Sequence, residues 1–105
     1  MSRKYHLVIT ELAEADLRKI ADYIANELLE PTTARKMITR IAEAIFQLEQ
    51  MPFRNGLVRD ERLAANGIRH ILVDSYIVFY VISEKEETVT IVRILYGKRQ
   101  WSSLL

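Results

Sequence analysis

The run Tyr76–Ser83 constrains the fold more than any other part of the chain. It consists almost entirely of β-branched and aromatic residues, which is typical of a β-strand. Successive side chains of a strand point to opposite faces, and here both alternating sets are apolar. One set is Ile77, Phe79 and Val81, and the other is Tyr76, Val78, Tyr80 and Ile82. We therefore expect a central strand in a sheet that is covered on both faces.

Two more strand-like runs, Ile68–Val73 and Thr88–Leu95, lie before and after the central run in the sequence. The short polar connections at residues 74–75 and 84–87 predict tight turns. Strands that are joined by tight turns run antiparallel. The second half of the chain is thus predicted to form a three-stranded antiparallel meander.

The first half of the chain predicts a strand followed by two amphipathic helices. Residues Tyr5–Thr10 alternate in polarity and end in a threonine that is suited to cap a helix. Apolar residues then recur at steps of three and four and form two stripes. The first stripe is Ala13, Leu17, Ile20, Ile24 and Leu28, and the second is Ala34, Met37, Ile38, Ile41, Ile45 and Leu48. Pro31 separates the stripes and Pro52 follows the second, so we expect an antiparallel helical hairpin. Residues 53–66 lack periodicity and are predicted to form an ordered surface loop.

Length and composition fit a single α+β domain that spans residues 1–105. Half of the residues are apolar, which is sufficient for a hydrophobic core. The chain has no cysteine and two histidines, so neither a disulfide framework nor a metal cage is expected. No apolar run is long enough for export or membrane insertion. We expect a cytoplasmic protein without a metal or any other cofactor.

Two groups of polar residues do not predict catalysis. The acidic residues of the first helix, Glu11, Glu14, Asp16 and Asp22, are expected to be solvated surface charges. His70, Asp74 and Ser75 lie close in sequence but flank a predicted turn without a nucleophile elbow. A hydrolase site is therefore not expected.

The chain ends in a cluster of basic and aromatic side chains. Arg93, Tyr96, Lys98, Arg99 and Trp101 lie close together, with no acidic residue among them. Guanidinium groups form paired hydrogen bonds with phosphate oxygens, and aromatic rings stack on bases or pack against protein partners. The cluster favours contact with nucleic acid or an acidic protein surface, although the net charge of +1 argues against a large RNA footprint.

Two arginines interrupt the apolar rows of the predicted strands. Strict alternation places Arg69 on one face with Ile71 and Val73, and places Arg93 with Val89, Ile91 and Leu95. One interpretation is that these arginines form the floor of a cleft. The alternative is that they are solvated at a sheet edge, as strand arginines commonly are.

With these elements in order, the chain resembles toxins of the RelE/ParE superfamily from bacterial type II toxin-antitoxin modules. The resemblance is carried by three stretches, which are Ala15-Asp16-Leu17 with Ile20 and Tyr23-Ile24, Gly67-Ile68-Arg69 leading into residues 76–80, and Arg93 to Trp101 with Leu104-Leu105. The last stretch is similar to the His-Gly-Arg-Arg-Asp-Trp pattern that closes the family's sequences. The resemblance implies the α+β fold of this superfamily, growth inhibition, plasmid stabilization and neutralisation by a cognate antitoxin.

One branch of the superfamily cuts mRNA in the ribosomal A site. For a RelE-like enzyme, the resemblance implies attack of an RNA 2′-hydroxyl on the adjacent phosphate, with guanidinium groups stabilising the developing charge. Arg69 would hold the phosphate, Arg99 would assist the leaving oxygen, and Tyr96 would stack or share a proton where many relatives have histidine. The alternative for Tyr96 is a buried residue that only packs. Arg59 and Arg62 would substitute for the paired lysines of that branch.

The other branch is ParE-like and poisons DNA gyrase without an active site of its own. It is favoured here because no tyrosine closely follows Lys98-Arg99 and because residues 53–66 lack paired lysines. In this branch Lys98, Arg99 and Trp101 would contact the target. A third possibility is a non-toxic module that binds only an antitoxin. In every case the expected partner is an antitoxin segment that covers apolar grooves and the basic surface.

Overall fold

The computed structural model describes residues 4–98 and 104–105. The helices and strands, in chain order, are β1 (His6–Ile9), α1 (Glu11–Asp22), a π-helical segment (Tyr23–Glu27), α2 (Pro31–Gln47), a 3₁₀ turn (Pro52–Arg54), α3 (Glu61–Ala65), β2 (Arg69–Val73), β3 (Tyr76–Ser83) and β4 (Thr88–Tyr96). The α+β class and the three-stranded meander agree with the sequence prediction.

The four strands form one mixed sheet in the order β1-β4-β3-β2. Strands β2, β3 and β4 pair antiparallel, whereas β1 pairs parallel to β4, with Ile9 opposite Ile91. Strand β3 therefore lies inside the sheet. Its two apolar sets belong to two separate hydrophobic clusters, one on each face. This confirms the prediction of a central strand covered on both sides.

The helical hairpin covers one face of the sheet. Helix α1 begins directly after β1, because the Thr10 hydroxyl accepts a hydrogen bond from the Ala13 N–H at 3.1 Å. Ile20 of α1 and Ile41 of α2 are buried in the same cluster as Val78 and Val89 of the sheet. The predicted stripes thus face the sheet. We call this side of the sheet the hairpin face.

The first stripe ends earlier than its periodicity predicts. The chain passes from α1 into the π-helical segment at Tyr23, and the Leu28 N–H bonds to the Tyr23 carbonyl oxygen at 3.1 Å. A π turn holds more residues than an α turn, so the residues that follow leave the phase of the stripe. Leu28, which was predicted to be buried, is 48% exposed.

The opposite face of the sheet, called here the second face, is covered by residues 57–68 and by Leu104 and Leu105 at the chain end. Val58, Leu63 and Ile68 are buried there against Phe79 and other sheet residues. Residues 53–66 are therefore only partly a surface loop. They include α3, whose first turn is capped by Asp60, since its carboxylate accepts hydrogen bonds from the backbone of residues 62 and 63.

A β-bulge in β4 changes the face on which Arg93 lies. Tyr80 is opposite Ile91, but the preceding residue of β3, Phe79, is opposite Arg93, so Val92 is an extra residue. Strict alternation fails at such an insertion, because every later side chain changes face. The prediction that Arg93 shares a face with Ile91 was wrong.

After the bulge, the two strand arginines lie on opposite faces of the sheet. Arg93 is opposite Phe79 of the second face, whereas Arg69 is opposite Tyr80 of the hairpin face, as predicted. The interpretation of Arg69 and Arg93 as one cleft floor is therefore not supported by the geometry.

The hairpin packing can be tested with a pair of aspartate substitutions in α1. Ile20→Asp places an unpaired charge at a site that is 8% exposed, and we expect it to cost several kcal/mol out of a typical total of about 5–15. Leu12→Asp in the same helix is the control, since Leu12 is 60% exposed and its effect should stay within about 0.5 kcal/mol. Equal unfolding midpoints in urea for the two variants would contradict this packing.

Candidate functional site

A buried ion pair joins α1 to β4. The carboxylate of Asp16 accepts hydrogen bonds from Arg93 Nε at 2.8 Å and from Arg93 Nη2 at 2.9 Å. The backbone N–H of Ile94 donates a third bond to Asp16 Oδ2, also at 2.9 Å. The remaining nitrogen, Arg93 Nη1, donates to the carbonyl oxygen of Leu104 at 3.3 Å. We call these contacts the Asp16–Arg93 clamp.

The clamp supplies a hydrogen-bond acceptor to β4 beyond the point where the neighbouring strand β1 ends. Strand β1 ends at Ile9, and the Thr10 hydroxyl donates the next bond, to the Val92 carbonyl oxygen. Beyond that point the Ile94 N–H would be buried without an acceptor if Asp16 were absent. The bond to Asp16 also raises the pKa of the Arg93 guanidinium, which stays charged in the folded protein.

Asp16 was expected to be a solvated charge, and that expectation was wrong, since the residue is 5% exposed. A signal was present in the sequence. Asp16 lies three residues after Ala13 and four before Ile20, so it belongs to the apolar stripe rather than to the polar face. A charged residue in such a stripe needs a buried partner of opposite charge.

Removing the Asp16 carboxylate should destabilise the fold strongly. Asp16→Ala leaves the Arg93 charge and the Ile94 N–H buried without their acceptor, and breaking a buried pair in this way costs about 3–5 kcal/mol. Glu14→Ala, an exposed position of the same helix, is the control and should change stability by less than about 0.5 kcal/mol. Urea unfolding would measure both, and a loss below about 1 kcal/mol for Asp16→Ala would show that the pair is dispensable.

Arg69 is also held by internal contacts. Its Nη1 donates to the Asn55 carbonyl oxygen at 2.6 Å, and its guanidinium carbon lies 5.1 Å from the centre of the Phe53 ring. Next to it, the Tyr80 hydroxyl donates to the Pro52 carbonyl oxygen at 2.8 Å. Arg69 and Tyr80 together fasten residues 52–55 to the hairpin face.

The Tyr80 hydroxyl gives this attachment a defined pH dependence. Burial raises its pKa above the ordinary value of 10.0, although the bond with Asn55 and the charge of Arg69 oppose the shift. The unfolded chain therefore loses this proton first as the pH rises. The stability that the Tyr80 hydroxyl contributes is complete below about pH 10, the pKa in the unfolded chain. It is lost as the pH rises through the higher pKa of the folded state.

We expect Tyr80→Phe to be less stable at pH 7 by about 1 kcal/mol, because the bond to Pro52 is lost. The same variant should lose less stability than the wild type between pH 9 and 11, since it lacks the hydroxyl that the unfolded chain ionises. Urea unfolding at several pH values measures both effects. Equal losses in the two proteins over that alkaline range would contradict the assignment.

A groove lies where the helical hairpin meets the ends of β3 and β4. It has a volume of about 590 Å³ and is lined mainly by apolar atoms. The side chains of Tyr23, Tyr76 and Tyr96 are part of its wall, together with Ile24 and Leu28. We call it the tyrosine groove.

The tyrosine groove has the properties of a protein-binding surface. The rings of Tyr76 and Tyr96 pack edge to face, with centres 5.8 Å apart. Burial, followed by the neighbouring Tyr23 and Tyr96, raises the pKa of Tyr76. Tyr23 and Leu28 are large and exposed at this groove. Tyrosines with an apolar body and a polar tip are enriched at interfaces, so the groove is suited to an apolar side chain of a polypeptide.

The other predicted site residues that the structure describes lie at separate places on the surface. Tyr96 lies in the tyrosine groove, and Lys98 is exposed just beyond β4. Arg59 and Arg62 are exposed beside and within α3. Arg99 and Trp101 lie outside the described residues. Within the described part of the chain, Arg69 and Arg93 do not meet at a common site, because they lie on opposite faces of the sheet.

Within residues 4–98 and 104–105, no group of three or more histidine, cysteine or acidic side chains is placed to hold a metal ion. In the same residues, no helix is both long and apolar enough to cross a membrane.

The sequence of this chain matches one known protein family over most of its length. Residues 7–101 match the family described as the ParE toxin of the type II toxin-antitoxin system parDE. The chain belongs to this family. As a ParE-family chain, it is a type II toxin of the RelE/ParE superfamily, as its sequence motifs suggested. No curated protein is similar enough to count as a match.

Solved structures show the same fold as this ParE-family chain. A chain of the chromosomal ParDE toxin-antitoxin system from P. aeruginosa is 23% identical, with a TM-score of 0.74, and the match covers 90% of this chain and 98% of that one. A chain of the toxin-antitoxin complex RelBE2 from Mycobacterium tuberculosis is also 23% identical, with a TM-score of 0.66 and coverage of 90% and 92%. The α+β fold is thus shared with both.

Proposed function

We propose that this toxin inhibits growth by acting on DNA gyrase and that it does not cut mRNA. The main support is the state of the two strand arginines. Arg69 is held by Asn55 and Phe53, and Arg93 is held by Asp16 and Leu104. A nuclease needs preorganised cations that face the scissile phosphate together. The charge of Arg93 is paired with Asp16, and the two arginines lie on opposite faces of the sheet, so they do not form such a pair of cations.

The C-terminal segment, residues 98–105, is the proposed contact with gyrase. It begins at Lys98, which is exposed, and it carries Arg99 and Trp101 in its sequence. Arginine and tryptophan are the residue types that most often dominate protein interfaces. This assignment needs no catalytic residue on the toxin.

The alternative is ribosome-dependent mRNA cleavage of the RelE type. It is favoured by the exposed Tyr96 and Lys98 at the end of β4, a place where a phosphate and a base have access. In that case Arg69 would hold the phosphate with the guanidinium donors that do not bind Asn55. A non-toxic module that binds only an antitoxin is the third candidate.

A cognate antitoxin is the proposed partner, and the tyrosine groove is its proposed docking surface. The structural relatives come from a ParDE toxin-antitoxin system and a RelBE2 toxin-antitoxin complex. On this chain, the groove offers exposed Tyr23 and Leu28 beside half-buried Tyr76. An amphipathic helix with one apolar residue at the centre of its contact would bury this surface.

Expression of the chain alone should arrest bacterial growth, and co-expression of its antitoxin should relieve the arrest. Two assays with purified components then identify the target. One measures gyrase trapped on cleaved DNA, and the other measures cleavage of mRNA on translating ribosomes. We expect trapped gyrase and intact mRNA. Cleaved mRNA with unaffected gyrase would favour the RelE-like alternative, and normal growth with folded protein would favour the non-toxic module.

Substitution of Arg69 distinguishes action on gyrase from mRNA cleavage. If the protein acts on gyrase, Arg69→Ala should keep its toxicity in proportion to the folded protein present. If it cuts mRNA, the same change should lower the cleavage rate by about a hundredfold, the scale of losing one preorganised donor. Arg69→Lys is the matched variant, since it keeps the charge but loses the paired donors of the guanidinium. Measured stability and antitoxin binding of both variants control for misfolding.

A further inference from the structure

We propose that Asp16 is a positioning residue which, through Arg93, holds Leu104 and Leu105 against the second face of the sheet, and that toxicity requires this docked position. The proposal rests on the function proposed above, in which the C-terminal segment contacts the target. It adds a residue of α1, far from that segment in sequence, to the machinery of target binding.

The first support is the way in which the Arg93 guanidinium divides its hydrogen bonds. Nε and Nη2 bind the Asp16 carboxylate, so the plane of the guanidinium is fixed. Nη1 is then directed at the Leu104 carbonyl oxygen, 3.3 Å away. The orientation that binds the chain end is thus set by Asp16. A lysine ammonium group has no such fork and would not hold both partners in this geometry.

The second support is the apolar packing of the chain end. Leu104 and Leu105 are half-buried and pack against the cluster that contains Ile77, Phe79 and Leu95. Phe79 and Leu95 are almost completely buried, and the residues that pack over them, including Leu104 and Leu105, keep them from solvent. The hydrogen bond from Arg93 and the two leucines therefore act on the same short stretch of chain.

The third support is that Gly97, the residue before the C-terminal segment, is fixed as well. The Gly97 N–H donates to the Ser75 carbonyl oxygen at 2.8 Å. A Cβ at Gly97 would lie 3.2 Å from that same oxygen, so the close approach favours glycine. Gly97 and Leu104 are thus both attached to the body of the protein by backbone carbonyl contacts.

The experiment compares three variants of the full chain. Arg93→Lys weakens the clamp, and the double variant Leu104→Ser/Leu105→Ser removes the apolar docking while leaving Asp16 and Arg93 unchanged. Arg40→Lys is the matched control, because Arg40 forms an ion pair with Asp74 on another part of the surface.

Docking of the chain end is measured by the rate at which a carboxypeptidase removes its last residues, followed by mass spectrometry. Each rate is divided by that of a synthetic peptide of residues 96–105, which carries the two serine substitutions for the double variant and the unchanged sequence for the other proteins. This corrects for the preference of the enzyme. We expect release to be about tenfold faster in Arg93→Lys and in the double variant, since a locally opened end is cleaved in proportion to its population. Arg40→Lys should match the wild type.

Function is measured by growth arrest at matched levels of soluble protein and by affinity for the antitoxin. We expect both docking variants to need about tenfold more protein for arrest while binding the antitoxin within about twofold of the wild type, because the tyrosine groove is intact. Unchanged release in folded Arg93→Lys would overturn the clamp. Fast release with full toxicity in the double variant would overturn the positioning role.

The two proposals fail in different ways. If Arg93→Lys does not fold, the double variant still decides whether toxicity needs the docked end. If wild-type protein arrests growth through mRNA rather than gyrase, the target assignment is wrong, but release and toxicity still decide the positioning role. If wild-type protein causes no arrest, the proposed function and the positioning role both fall, whereas the release rates still test the clamp.

Discussion

The buried pair of Asp16 and Arg93 is the interaction on which the arrangement of α1, β4 and the chain end depends. Two charges that leave water lose solvation, and in a protein interior the loss is recovered only if the geometry and the remaining hydrogen bonds are good. Here the carboxylate receives two bonds from Arg93 and one from the Ile94 N–H. If α1 shifted along the sheet, all three would be lost together. The pair therefore specifies the position of the helix more than it adds to net stability.

The bulge at Val92 decides which roles the arginines can have. Without the extra residue, Arg93 would share the hairpin face with Ile91 and would compete with the apolar stripes of α1 and α2 for space. With it, Arg93 lies opposite Phe79 and reaches both Asp16 and Leu104. Arg69 remains on the hairpin face and fastens residues 52–55. A single inserted residue thus separates two cations that strict alternation would have placed on one face.

The parts of the fold that sequence could predict are those with a regular period. The central strand, the two stripes and the Thr10 cap each follow from the spacing of side chains, because an element that buries one face has apolar residues at regular intervals in its sequence. The bulge produces no such pattern, since Val92 fits either register. Helix α3 was missed because it is short and because its anchor, Leu63, follows four charged residues and precedes two alanines. Of the predicted site residues, Arg69 was placed on its correct face, but its bonds to residues 52–55 depend on long-range packing that spacing does not encode.

Asp16 belongs to two structures at the same time. It forms the clamp, and it also lies in the wall of the tyrosine groove beside Ile94 and Tyr96. A polypeptide that fills the groove would therefore lie against the residue that orients Arg93 and, through it, the Leu104 carbonyl group. Binding at two sites that share such a residue is coupled whenever one ligand alters the shared contacts, and the coupling free energy is equal in both directions. An antitoxin that displaces Asp16 would therefore bind more weakly while the chain end is docked, whereas one that leaves Asp16 in place would bind independently of that docking.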